Sequence, residues 1–306
     1  MLLLFRPRKT PFLYINTFYA LLGSMLFYMV ICTVNVALAD NKPSPAAKPA
    51  TTAKLDLDEL YREAQRQFSR KNYEHALPLL QQYIQSSKQE TSKHHRLLNA
   101  IDEVGSIYLQ TKQDPDAALK FFKTFYNDKR LNDAELNAIE EWIGAATDWK
   151  RFGKLPSEIQ SADQLYLLGL QYYNKGLNKL KYAMDKAGNA DFHIASSYLV
   201  PFIVNFDKDP RIGEALFYMG SIRRHVIIDN LYWTENYYLK ETIRRFPHTS
   251  LAEKAWDVMQ DDVNFAYSGS EGNFMPESMK TMLQQYEKLA QPIPKSGQPA
   301  EEQPAK

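Results

Sequence analysis

Apolar residues recur along most of this chain at the three-and-four spacing of amphipathic helices. Leu60, Ala64 and Phe68 stand four apart, Asn72-Tyr73 interrupts them, and Ala76, Leu80 and Tyr83 resume at i, i+4 and i+7. The stretch 60–84 therefore predicts two short helices folded back on each other, a hairpin that buries one face and needs neighbours. Ile101, Val104, Gly105 and Tyr108 form the next stripe; Ala118, Phe122 and Phe125 form its partner after an Asp114-Pro115 turn, where proline costs no hydrogen bond in the first helical turn. Asn132-Asp133-Ala134-Glu135 has the form of a capping box, opening a helix with Trp142, Ala146 and Trp149 on one face. Leu165, Leu168, Gly169 and Tyr172 repeat the stripe, and Ala195, Leu199 and Phe202 answer it after an insertion from Asn174 to Asp191. Leu216, Met219 and Gly220 begin it again, with a partner at Tyr237 to Phe246 ended by Pro247. Leu251 to Tyr267 is a further helix, Ser268 to Asn273 a glycine-bearing loop, and Glu277 to Ala290 the closing helix. No run alternates as a strand does, so the expected class is all-α.

The two ends read differently. Arg6, Arg8 and Lys9 precede a stretch from Thr10 to Ala39 without charge, the arrangement that keeps the basic end cytoplasmic and sends the following chain across a membrane. Ala37 and Ala39 give the small-x-small pattern of signal-peptidase cleavage before Asp40. Phe18 to Ala39 is also 22 residues long, close to the roughly 20 that span a bilayer. Residues 1–39 are thus a signal peptide or a retained inner-membrane anchor, and either exports the remainder. Residues 40–54 carry Pro43, Pro45 and Pro49 with nothing large to bury, a disordered linker spanning roughly 20 Å. Residues 291–306 are a similar tail, which leaves 55–290 as the folded domain.

Charge excludes one class of function. Without Arg6, Arg8 and Lys9, 34 basic residues face 36 acidic ones, so there is no field of the kind nucleic acids require. The single cysteine, Cys32, lies inside the apolar N-terminal segment with Ile31 before it, a poor lipidation site. The exported part has no thiol for a disulfide, a nucleophile or a metal.

Candidate chemistry is sparse. His94 and His95 are neighbours on the chain and do not share a helix face, and His75, His193, His225 and His248 lack ligand spacing. Asp56 with Asp58, Glu140 with Glu141, and Asp261 with Asp262 suit solvated faces and helix starts. The Ser268 to Asn273 loop lacks the preceding strand and following lysine of a phosphate loop. Arg223-Arg224 and Arg244-Arg245 are basic pairs that suit salt bridges to neighbouring acids, or else an acidic peptide or a lipid headgroup. The residues therefore ask for no enzyme, no cofactor and no metal.

The stripes resemble tetratricopeptide repeats, whose helix pairs set large, small and aromatic residues on the first helix and alanine on the second. Leu60, Ala64, Tyr73 and Ala76 match in one unit; Ile101, Gly105, Tyr108, Ala118 and Phe122 in a second; Leu165, Leu168, Gly169, Tyr172 and Ala195 in a third; Leu216, Met219 and Gly220 in a fourth. Trp142, Ala146 and Trp149 stand as a degenerate unit between. Ala64 to Gly105 is 41 residues, Gly105 to Gly169 is 64 and Gly169 to Gly220 is 51, against a family period of about 34, so an irregular solenoid is expected. Ile243 to Ala255 is also similar to repeats of bacterial envelope assembly lipoproteins, which implies a Gram-negative periplasm.

The resemblance implies a concave groove lined by the first helix of each unit. Carried over by the matched small residues, the lining is Tyr61, Gln65 and Phe68; Asp102, Ser106 and Leu109; Tyr166 and Tyr173; and Phe217 and Arg224. Aromatic and arginine side chains are the anchors that interfaces select. The expected function is an exported, non-enzymatic scaffold binding another envelope protein or peptide. A cell-wall glycan-binding or glycan-processing protein is the alternative, since Tyr and Trp faces suit sugar rings, and a homo-oligomer is a third reading.

Overall fold

The computed structural model describes residues 56–87, 93–182, 185–226, 236–269 and 272–293. The N-terminal segment, the linker and most of the tail lie outside them. The chain divides after Lys54, and in the unit from Leu55 onward the regular structure among the described residues is helical apart from one two-residue antiparallel pair, Ser268–Gly269 with Gly272–Asn273. Its helices are α1 (Leu57–Ser69), α2 (Tyr73–Ser86), α3 (His94–Ser106), α4 (Pro115–Phe122), α5 (Asp133–Phe152), α6 (Ala162–Lys179), α7 (Asn189–Asn205), α8 (Ile212–Val226), α9 (Tyr237–Arg245), α10 (Ser250–Tyr267) and α11 (Glu277–Ala290).

Local chemistry sets the helix ends. Asn132 accepts from the Glu135 N–H at 3.1 Å while the Glu135 carboxylate accepts from the Asn132 N–H at 2.9 Å, the reciprocal box expected there. Asp114 caps α4 by accepting from the Ala117 N–H at 2.9 Å, with Pro115 at the first position. The Asn236 side chain accepts from the Leu239 N–H and donates to the Gly220 carbonyl at 2.8 Å, tying the start of α9 to α8. Beyond α3 the backbone widens into a π-helical turn, Ile107–Thr111, closed by the Lys112 N–H on the Ile107 carbonyl at 2.8 Å. The spacing alone does not announce that turn.

Successive elements pack as neighbours from α1 through α3, the π-helical turn and α4 to α5, and again from α6 to α11. The break falls between α5 and α6: the main later partner of α5 is α7. Helix α7 also meets α3, the π-helical turn, α6 and α8, so Phe192, Ile194, Ala195, Tyr198, Leu199 and Phe202 are sealed in the core. Contact with so many elements buries every residue of α7 from Asn189 to Leu199. The insertion expected from Asn174 to Asp191 is shorter than that: α6 continues to Lys179 and α7 starts at Asn189. Gly176 lets α6 and α7 approach closely, because a Cβ there would stand 2.6 Å from the Phe192 ring.

Two clusters make up the core. The larger runs from Leu60 to Ile222; the smaller joins Leu239, Ile243, Ala252, Ala255, Met259, Val263, Leu283 and Ala290 of α9 to α11.

Candidate functional site

The ten residues expected to line a groove fall into two linked groups. In the first, Gln65 donates to both oxygens of Glu103 at 2.9 and 2.7 Å, joining α1 to α3. Tyr61 lies 4.8 Å from the Tyr83 ring with the Arg96 guanidinium 5.4 Å from its centroid, and Phe68 meets Tyr73 edge-on at 5.4 Å. All three are half-buried. Asp102 pairs with Lys186 at 3.2 Å; burial pushes its carboxyl above the usual range and Lys186 opposes the push.

The second group joins α6 to α8. The Tyr166 hydroxyl donates to Glu214, and its ring lies beneath the Arg211 guanidinium at 4.8 Å. Tyr173 stands 4.9 Å from Tyr218. Phe217 is half-buried against the α9–α11 cluster, and the Arg224 Nε lies 2.9 Å from Asp262. Burial raises the Asp262 carboxyl to about 6, with Arg224 opposing.

One expectation needs correction. A groove lining has to face solvent, but Ser106, Leu109, Tyr166 and Tyr173 are buried. Helix α7 lies against α3 and the π-helical turn, and α8 against α6, so these positions carry packing. The exposed or half-exposed members are Tyr61, Gln65, Phe68, Asp102, Phe217 and Arg224. Many of the aromatic rings that would suit sugars are likewise core: Trp142, Trp149, Tyr172 and Tyr198 are buried.

Sequence reasoning missed the polar content of α7. Asn189, Asp191, His193, Ser196 and Ser197 are all buried. Asp191 is fully buried and pairs at 2.8 Å with Lys179 of α6, which also reaches Glu141 of α5 at 2.7 Å. Burial raises the Asp191 carboxyl above its usual range. His193 stacks on Trp142 at 5.6 Å and its Nδ1 lies 2.9 Å from the Gln110 Oε1 in the π-helical turn. Burial lowers its pKa to about 4, so the ring is neutral. The apolar run around these residues, Phe192 to Phe202, was the available signal for a buried helix.

Among the described residues no three His, Cys, Asp or Glu side chains gather to hold a metal ion. His94 lies 2.7 Å from a Glu135 carboxylate oxygen rather than beside a second histidine. No helix of the described residues is long and apolar enough to cross a membrane. Comparison with protein-family models, with curated proteins and with solved structures finds no match.

Proposed function

We propose that the folded unit is an irregular tetratricopeptide-like array that serves as an exported scaffold for another envelope protein or peptide. One observation carries the reading. Gly105, Gly169 and Gly220, the small residues of three separate stripes, each sit where a neighbouring helix comes too close for a side chain. A Cβ would stand 2.6 Å from Trp142 at Gly105, 2.7 Å from Leu199 at Gly169 and 2.5 Å from Leu239 at Gly220. The same device at three stripes is what stacked hairpins of one kind require.

Arrays of this kind offer extended surfaces to a peptide or helix. The half-exposed aromatics Tyr61, Phe68 and Phe217 are the residues through which this chain would hold one. The basic, uncharged-core N-terminus supports export, and a periplasm-facing position accords with the thiol-free folded part.

The test places a photo-crosslinking residue at Tyr61, Phe68 or Phe217 of the full chain in a Gram-negative host. A discrete crosslinked protein at these positions, absent from the same residue at Val204, is the expected result. The same pattern at all four positions, or none, removes the scaffold reading; a cytoplasmic location of the folded unit after fractionation removes export.

A further inference from the structure

Helix α5 sets Trp142 and Trp149 against α4 and α7, where they meet Phe122, His193 and Tyr198. Its other face is exposed at Asn137, Glu140, Gly144, Thr147 and Arg151, positions three and four residues apart that form one seam along the helix. Charges beside the seam are already committed: Glu141 to Lys179 at 2.7 Å, Asp148 to Lys175 at 2.8 Å, and Lys150 to Asp116. The two charges on it are not. Among the described residues neither Glu140 nor Arg151 is in an ion pair, and they stand three turns apart, roughly 16 Å along the helix, too far to pair with each other.

The middle of the seam is bare. A Cβ built on Gly144 has nothing within 4 Å, so no neighbour within the chain accounts for a residue that is unfavourable in a helix interior. The Thr147 hydroxyl donates to the Ile143 carbonyl at 2.7 Å and needs no outside acceptor. Two small residues at the centre let another helix approach closely, at the short end of the usual interaxial range of about 8–10 Å.

The charges are placed to match. Glu140 precedes Gly144 by one turn, and Arg151 follows Thr147 by one turn. A two-fold axis that sets Gly144 against Thr147 of a second copy therefore sets Glu140 against that copy's Arg151, and the reverse pair forms at the other end. Phe152, 71% exposed beneath the Arg151 guanidinium at 4.9 Å, adds apolar area beside each pair.

We propose that the outer face of α5 is a homodimer interface, where two copies meet antiparallel about Gly144 and Thr147 with Glu140 of each opposite Arg151 of the other. A single helix pair buries less than the roughly 1,200 Å² at which stable interfaces begin, so the dimer is a transient, concentration-dependent one. It does not depend on the scaffold reading, whose contact residues Tyr61, Phe68 and Phe217 lie on α1 and α8.

Sedimentation velocity of the full chain in detergent over a concentration series tests it. The wild type should pass from monomer to dimer as concentration rises. Arg151→Glu and Glu140→Arg each set like charges opposite one another twice, and each should weaken the dimer about tenfold. An equimolar mixture of the two variants should recover wild-type association, because every facing pair in the mixed dimer is again opposite in sign. Gly144→Leu puts a better helix former at an exposed position; it should abolish the dimer without lowering the melting temperature, which separates the interface from the fold. A monomer at every concentration overturns the proposal, as does a dimer indifferent to all three substitutions, which would place self-association elsewhere. A mixture that associates no better than its components overturns the antiparallel pairing.

Discussion

The indole N–H of Trp149 donates to the Tyr198 hydroxyl at 2.6 Å, and that hydroxyl donates in turn to the Lys154 carbonyl at 2.6 Å. The chain of bonds crosses from α5 to α7 and on to the loop after α5, through a region where Trp149 and Tyr198 are both buried. It fixes the join at which the succession of neighbouring helices breaks. Burial accordingly pushes the Tyr198 phenol up to about 12.

Tyr198→Phe keeps the ring and orphans both partners. A buried donor or acceptor left unpaired costs roughly 1–3 kcal/mol. The variant should lose that much in urea unfolding followed by tryptophan fluorescence, with the denaturant slope unchanged. A loss within error would mean that water serves both groups as well as the phenol does.

Two glycines should respond to alanine with opposite signs. Gly144, exposed in α5, has nothing within 4 Å of a built Cβ, so Gly144→Ala should stabilise by about 0.5–1 kcal/mol through helix propensity. Gly105 faces Trp142 at 2.6 Å and Phe122 at 2.7 Å. Trp142 cannot retreat, being stacked between Phe122 at 5.0 Å and His193 at 5.6 Å. Gly105→Ala should therefore destabilise by on the order of 1 kcal/mol after its propensity gain. Thermal melts of the two variants that shift in the same direction would refute the close approach.

The same contrast shows what could be read from the chain. Gly105, Gly169 and Gly220 were legible as contact points because each sits in an i, i+3, i+4, i+7 stripe, and the capping box at Asn132 was legible because its geometry is local. The role of α7 was not, although its boundaries were nearly in view. Stripe analysis looks for one apolar face, and a helix surrounded by α3, α5, α6 and α8 has no polar face to set the register. Burial of Leu109 and Tyr173 followed from that same packing, which no spacing records.

Lys179 binds Asp191 and Glu141 at once. Removing one partner of a buried pair strands the other charge, at about 3 kcal/mol, so Lys179→Met should destabilise by about that much. The cost sits with Asp191, which is fully buried, rather than with the half-exposed Glu141. The double variant Lys179→Met with Asp191→Leu should recover most of the loss in chemical denaturation, because an apolar pair of similar volume needs no solvation. A double variant less stable than the single would show that the pair contributes net stability.

His193 and Asp262 should pull stability in opposite directions over one pH range. Burial lowers His193 from 6.5 to about 4. The folded state resists its protonation, so its contribution is whole above 6.5 and is lost as pH falls toward 4. Burial raises Asp262 from 3.8 to about 6; its contribution is whole below 3.8 and is lost as pH rises through 6. Each window corresponds to on the order of 3 kcal/mol, and in the wild-type chain the two trends offset each other. Asp262→Asn removes only the aspartate's contribution, so the stability of the variant relative to the wild type should climb as pH rises from about 4 to 6. His193→Gln removes only the histidine's contribution, and the stability of that variant relative to the wild type should fall as pH rises over the same interval. Urea unfolding of both variants and the wild type across this range checks the pair, and three parallel curves would show that neither group titrates in the folded state where its burial puts it.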